Sequence, residues 1–214
     1  MTTSIAIAEK ITTLRQVEEK LGLTLSSDSQ FFTEWMVDLP PLNEAEQTRL
    51  EQVRQNYLYQ ISYGSLLEET VKMVVLSPLL ELAGFYQAPY RFKTEVSVEI
   101  AAQGDNEEIL RGRIDVLVLQ ARLWIVLIES KKTIFDLELA IPQTLAYMAV
   151  HPNPEQPLYG MITNGSSFLF VKILGKQYGI SDIFATRSQH LNNLSGVLKI
   201  LKHLGRLIQF VNGD

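Results

Sequence analysis

The sequence contains no cysteine. That excludes disulfides, thiolate metal sites and a cysteine nucleophile at once, and it suits a cytoplasmic setting. Only three histidines occur, His151, His190 and His203, and their scatter argues against a zinc cluster. Long apolar runs are also missing. The longest are strand-sized, such as Trp124 to Ile128, so no membrane span is expected. The opening residues, MTTSIAIAEKITTL, lack the basic start and long apolar run of a secretion signal.

What is present is an ordinary globular composition. The 214 residues suffice for one full domain with a core. Net charge is −5 and unevenly spread: residues 1–70 carry 5 basic and 11 acidic side chains, residues 171–214 carry 6 and 2. An acidic total argues against a nonspecific DNA coat, though not against an enzyme with a local basic wall.

Along the chain, residues 5–21 carry a helical stripe of Ile7, Ile11, Leu14, Val17 and Leu21, with Gly22 as a stop. A short helix is expected over Asp28–Val37. A longer one is expected from Glu44 to about Ile61, capped by Asn43. Residues 1–62 thus read as a helical extension packed on a core formed by residues 63–214. Ser65 to about Ala83 predicts an apolar helix that Pro78 kinks or divides.

The period then becomes alternating. Phe92–Ile100, Ile109–Leu119 and Leu123–Ser130 predict three strands. Leu139–Val150 predicts a helix, with Pro142 in its first turn. Leu158–Thr163 and Phe168–Leu174 predict two more strands around Asn164-Gly165, and Gln189 to about Phe210 a closing helix.

Chemistry concentrates in Arg111–Lys132. Asp115 lies inside an apolar strand, where an unpaired charge is costly. Glu129-Ser130-Lys131 ends the next strand. A turn centred near Ala121–Arg122 sets Asp115 and Glu129 directly opposite or one diagonal step apart. Both numbers are odd, which places them on one face in a regular hairpin. Facing carboxylates repel unless a cation lies between them, and oxygen ligands of this type suit Mg²⁺ or Mn²⁺. The Ser130 carbonyl is a third candidate ligand. Lys131 could act on a water or on phosphate charge. A structural ion pair is the plainer reading of a lone Glu-x-Lys. Gln143 and Tyr147 share a helix face at i and i+4, and Glu68 lies on the helix upstream of the strands.

These residues, within LLEETVKMVVLSPLLELAGF, GRIDVLVL, LWIVLIESKK, QTLAY and GMITNGSSFLFVKI, resemble the PD-(D/E)XK nuclease superfamily. More narrowly, they are similar to the N-terminal nuclease domain of type I restriction enzyme R subunits. The resemblance covers about residues 66–174. It implies an α/β restriction-endonuclease-like core, αβββαβ, with a mixed sheet flanked by helices. It also implies metal-dependent cleavage of DNA. Asp115 and Glu129 match the metal ligands, although Ile114 replaces the proline often found before the aspartate. Lys131 matches the catalytic lysine, Glu68 fits the upstream acid, and Gln143 and Tyr147 match a Gln-x-x-x-Tyr motif that contacts DNA. Lys72, Arg111, Arg113 and Lys132 are candidates for a basic wall on the DNA.

R subunits also carry an ATP-driven motor, and the sequence has no Gly-x-x-x-x-Gly-Lys-Ser/Thr phosphate loop. The expectation is a stand-alone nuclease domain, with motor or modification subunits as partners on other chains. The alternatives are a catalytically silent nucleic-acid-binding module and an interaction subunit of such a complex.

Overall fold

The protein is described by a computed structural model over residues 3–101, 108–120, 123–130, 132–187 and 193–207. Of residues 3–5, 101, 108, 120, 123–130 and 193 the backbone alone is described. One mixed sheet of nine strands forms the middle layer. Its strands are β1 (Thr3–Ala6), β2 (Thr24–Leu25), β3 (Tyr90–Ala101), β4 (Glu108–Gln120), β5 (Leu123–Ser130), β6 (Leu158–Thr163), β7 (Ser167–Leu174), β8 (Gln177–Ile180) and β9 (Phe184–Ala185). The order is β1-β4-β5-β6-β7-β8-β2, with β3 also on β4 and β9 on β7. The β5–β6 pair is parallel, joined through helix α6 (Ile141–Ala149), while β3–β4, β4–β5 and β6–β7 are antiparallel. The core order, helix then three strands, helix and strand, is that of a restriction-endonuclease-like fold.

Two apolar layers cover the sheet. On one face Val116, Val118, Tyr159, Met161 and Phe170 pack beneath helices α3 (Glu44–Ile61), α5 (Ser77–Leu82) and α7 (Asn193–Leu207). On the other, Ile114, Leu117, Ile162 and Val171 pack beneath α6 and the N-terminal helices α1 (Ile7–Lys10) and α2 (Leu14–Leu21).

The N-terminal segment departs from a single helix over residues 5–21. Thr3–Ala6 is a strand, parallel to β4. After α1 the chain restarts at Thr13, whose hydroxyl accepts from Gln16 N while the Gln16 side chain accepts from the Thr13 backbone. This reciprocal cap makes Thr13 a helix start, which the apolar stripe alone conceals. Gly22 does close α2, in a left-handed conformation at φ 65. Asp28–Val37 forms turns, with Asp28 accepting from Gln30 N at 2.8 Å, so the side chain competes with a helix. The segment is anchored by Glu34, which accepts from Lys172 Nζ at 2.5 Å and from Tyr159 OH at 2.9 Å. The strands β1 and β2 therefore build residues 1–62 into both ends of the sheet order.

Asn43 caps α3 as expected, with Glu46 returning the bond. Pro142 lies in the first turn of α6. At Pro78 the helix neither breaks nor divides. Helix α4 (Glu68–Val71) runs into a π-helical turn, Lys72–Leu76, and then into α5. Pro78 has no N–H for the carbonyl four residues back. The widened turn absorbs the mismatch, and Ser77 N donates to Lys72 O five residues earlier.

Candidate active site

Strand β4 organises the site. One of its edges pairs with β3 over Ile109–Gln120. The other is shared end to end, with β1 on Glu108–Arg111 and β5 on Val116–Gln120. Between those two partners lies Gly112–Asp115.

The hairpin corrects the parity argument. Gln120 pairs with Leu123, so the turn has two residues, and a regular continuation would set Asp115 opposite Ile128. An irregularity between Val118 and Leu119 shifts the register by one, and Val116 then pairs with Ile128. That pair is the last of the ladder, and only the shifted register, continued one step, leads from Asp115 to Glu129. A β-bulge, not odd numbering, sets that register. The Glu129 and Ser130 side chains, and Lys131 altogether, lie outside the described residues.

A second irregularity turns Asp115. Ile114 packs on the α6 face and Val116 on the α5 face, although residues two apart on a strand normally share a face. Glu95, between the paired residues Thr94 and Val96, has φ 55, a left-handed value rare for a non-glycine residue. The pleat therefore inverts across β3 and β4 at Glu95 and Asp115. The Asp115 carboxylate lies towards the π-helical turn, with its side chain 12% exposed.

There it meets Lys72. The Lys72 ammonium lies 3.2 Å from Asp115 Oδ1, 3.0 Å from Glu68 Oε1, 3.1 Å from Glu69 Oε1 and 3.7 Å from Glu95 Oε1. Burial disfavours its charge. Hydrogen bonds to Glu68 and Glu69 and the adjacent Asp115 more than reverse that, so its pKa lies above the ordinary lysine value. Lys72 thus faces inward and is no part of an exposed basic wall. Arg113 and Arg111 likewise spend their charge across strands, on Glu95 and Glu99 at 2.8 Å each. The hydrogen bond from Arg113, opposed by partial burial and helped by Lys72, holds the Glu95 carboxyl below the usual range. Lys132 is exposed.

The end of β5 is tied down from two sides. Thr133 N donates to Leu66 O at 3.1 Å and Thr133 Oγ1 accepts from Leu66 N at 3.3 Å, linking the strand end to the start of the Glu68 helix. Buried Asn164 donates to Thr133 O at 3.3 Å and Phe135 O at 2.8 Å. Its Oδ1 accepts from Ser166 N, Ser166 Oγ and Ser167 N.

On the opposite sheet face, Gln143 Nε2 donates to Tyr147 OH at 2.5 Å. Tyr147 is 3% exposed and packs against Gly112, where a Cβ would fall 2.4 Å from its Cε1. A glycine inside a strand signals such an approach. Glu95 went unremarked in the sequence because alternation marks it only as an outward polar residue. Met73, Tyr86 and Phe92, which line a cavity beside Asp115, carry no local signal at all.

The carboxylate oxygens are hard donors of the type Mg²⁺ or Mn²⁺ takes. Glu68 and Asp115 already converge on one cationic nitrogen, so these donors fit a divalent ion in kind. Among the described residues, no group of three or more His, Asp or Glu is arranged to hold a metal.

Residues 16–178 match the family "Type I restriction enzyme R protein N terminus (HSDR_N)". Among solved structures, the chain resembles a fragment assigned to the HsdR subunit of a type I restriction enzyme from Vibrio vulnificus YJ016. That match has 18% identity and a TM-score of 0.42, and covers 62% of this chain and 26% of that one. No curated protein matches. The family match takes in Glu68, Asp115, Glu129, Lys131, Gln143 and Tyr147 and well over half the chain, and the chain belongs to the family of type I restriction enzyme R protein N termini.

Proposed function

We propose that this domain is a metal-dependent deoxyribonuclease that hydrolyses DNA phosphodiester bonds, and that it acts in the cytoplasm. The observation carrying this reading is the doubly irregular β4. A bulge sets a register that, continued one step past Val116–Ile128, leads from Asp115 to Glu129, and a pleat inversion turns Asp115 onto Lys72, which Glu68 also pairs. Backbone distortions of this kind persist only where the surroundings enforce them.

Asp115, Glu129 and the Ser130 carbonyl would hold Mg²⁺ or Mn²⁺, with Glu68 assisting. Such an ion acidifies water and offsets charge on a phosphoryl oxygen. Lys131 would hold the attacking water and offset charge as the phosphorus–oxygen bond breaks. Gln143 would contact the sugar-phosphate backbone, with buried Tyr147 fixing its amide. Lys132 would contribute a phosphate contact. Arg113 would do so on leaving Glu95. Partner subunits with motor or modification activity fit the family.

The test is cleavage of supercoiled plasmid in Mg²⁺ or Mn²⁺ by wild type and Lys131→Ala. A loss of at least about 10²-fold is expected on removing a group of this type. Equal behaviour of the two proteins across conditions would sink the nuclease reading. A silent binding module is the second reading, favoured by the Lys72 ammonium already lying among the carboxylates that would take a metal. Binding to DNA without cleavage by either protein would support it.

A further inference from the structure

A cavity of about 470 Å³ opens beside Asp115, between the π-helical turn and strands β3 and β4. Its volume is that of a small-ligand pocket, about 300–1,000 Å³. The inner wall is Leu76, Leu80 and Val116. At its mouth the Tyr86 and Phe92 rings lie 5.0 Å apart at 41°. Both are exposed, at 41% and 48%, and Met73 beside them is 75% exposed. Tyr86 OH donates to Ser77 Oγ at 2.9 Å, which fixes its ring. The far wall is Lys72 with Glu69, Glu95 and Asp115.

We infer that this cavity takes one unstacked nucleobase of single-stranded DNA, next to the phosphate being cut. The inference rests on the nuclease reading above. Three features select this occupant. The cavity shares Asp115 with the candidate active site, so a nucleotide placed there for hydrolysis has its base within reach. Glu69 and Glu95 repel phosphate at the rim, which leaves the uncharged base as the part that enters. Exposed rings held in place are stacking platforms, and a base within a duplex has both faces covered by its neighbours.

Fluorescence anisotropy of labelled 12-nucleotide single strands and blunt duplexes tests this, with Ca²⁺ in place of Mg²⁺ to limit cleavage. The double variant Tyr86→Leu, Phe92→Leu keeps the apolar volume and removes the rings. Single-strand affinity is expected to fall about tenfold, with duplex affinity unchanged. On wild type, moving one abasic site along the strand is expected to give the same loss at a single position. That series needs no variant, so it decides the matter even if the double variant fails to fold. A flat abasic profile, or unchanged single-strand binding by the folded variant, overturns the inference. The abasic-sensitive position without cleavage would keep the pocket and discard the nuclease. Duplex cleavage with a flat profile would do the reverse.

Discussion

Lys72 places a cation among Glu68, Glu69, Glu95 and Asp115. A divalent ion brought to Asp115 must compete with that ammonium, because charges of one sign a few ångströms apart repel. Lys72→Met is therefore expected to bind Mn²⁺ at least about tenfold more tightly, read from the electron paramagnetic resonance signal of free Mn²⁺. Without metal the same variant should lose about 1–3 kcal/mol, since the Lys72–Asp115 ion pair is then removed from a mostly buried setting. Equal or weaker Mn²⁺ binding would mean that Lys72 is not a competitor. Asp115 was legible in the sequence because an acid inside Ile-Asp-Val-Leu-Val is conspicuous. Lys72 was not. Its inward reach depends on a π-helical turn and on a pleat inversion that residue types do not announce. Glu95 shows this most plainly, since nothing about a glutamate marks a φ of 55.

Elements were legible where one local force acted without competition. Asn43 with Glu46 fixes α3, alternation fixes β3, and an apolar run after a turn fixes β7. The readings failed where a side chain recruited the backbone, as Thr13 does before α2 and Asp28 in the following turns. Strands β1, β2 and β9 are two to four residues long and have no periodicity to detect. Asn164 is the residue that couples elements. It joins the β6–β7 turn to the segment leaving β5 through two hydrogen bonds and holds the turn itself with three more. Asn164→Ala is expected to cost about 2–4 kcal/mol in urea unfolding. Amide exchange over residues 132–136 should speed up more than exchange in α3. Uniform acceleration would show that the clamp is not local.

For the whole molecule, the N-terminal segment is part of the sheet. It supplies β1 and β2, and it supplies Glu34 to Lys172, which is 7% exposed. Deleting residues 1–60 would remove that carboxylate, two strands and the apolar cover of one sheet face, from Phe32 to Tyr57. The truncated chain is expected to show no cooperative thermal transition, and a sharp melt near that of the full chain would contradict this. Stability should also depend on pH through His151. Burial lowers its pKa below the usual 6.5, with a partial offset from the Asn153 carbonyl. A base that binds its proton less well when folded gives full stability above about pH 6.5, and less as pH falls below it. His151→Gln should remove that portion of the slope in denaturant midpoints measured from pH 8 to 5. An unchanged slope would assign it to other groups.

The shared edge of β4 has a consequence for how such a chain can change over time. Three ladders grip one strand: β3 along one side, and β1 and β5 in succession along the other. A slip of one residue would misalign all three together. Relatives should therefore vary freely in the length of the segments before and after β4, yet keep a constant count of residues from Ile109 to Val118. Within that span substitutions can accumulate, while insertions and deletions cannot.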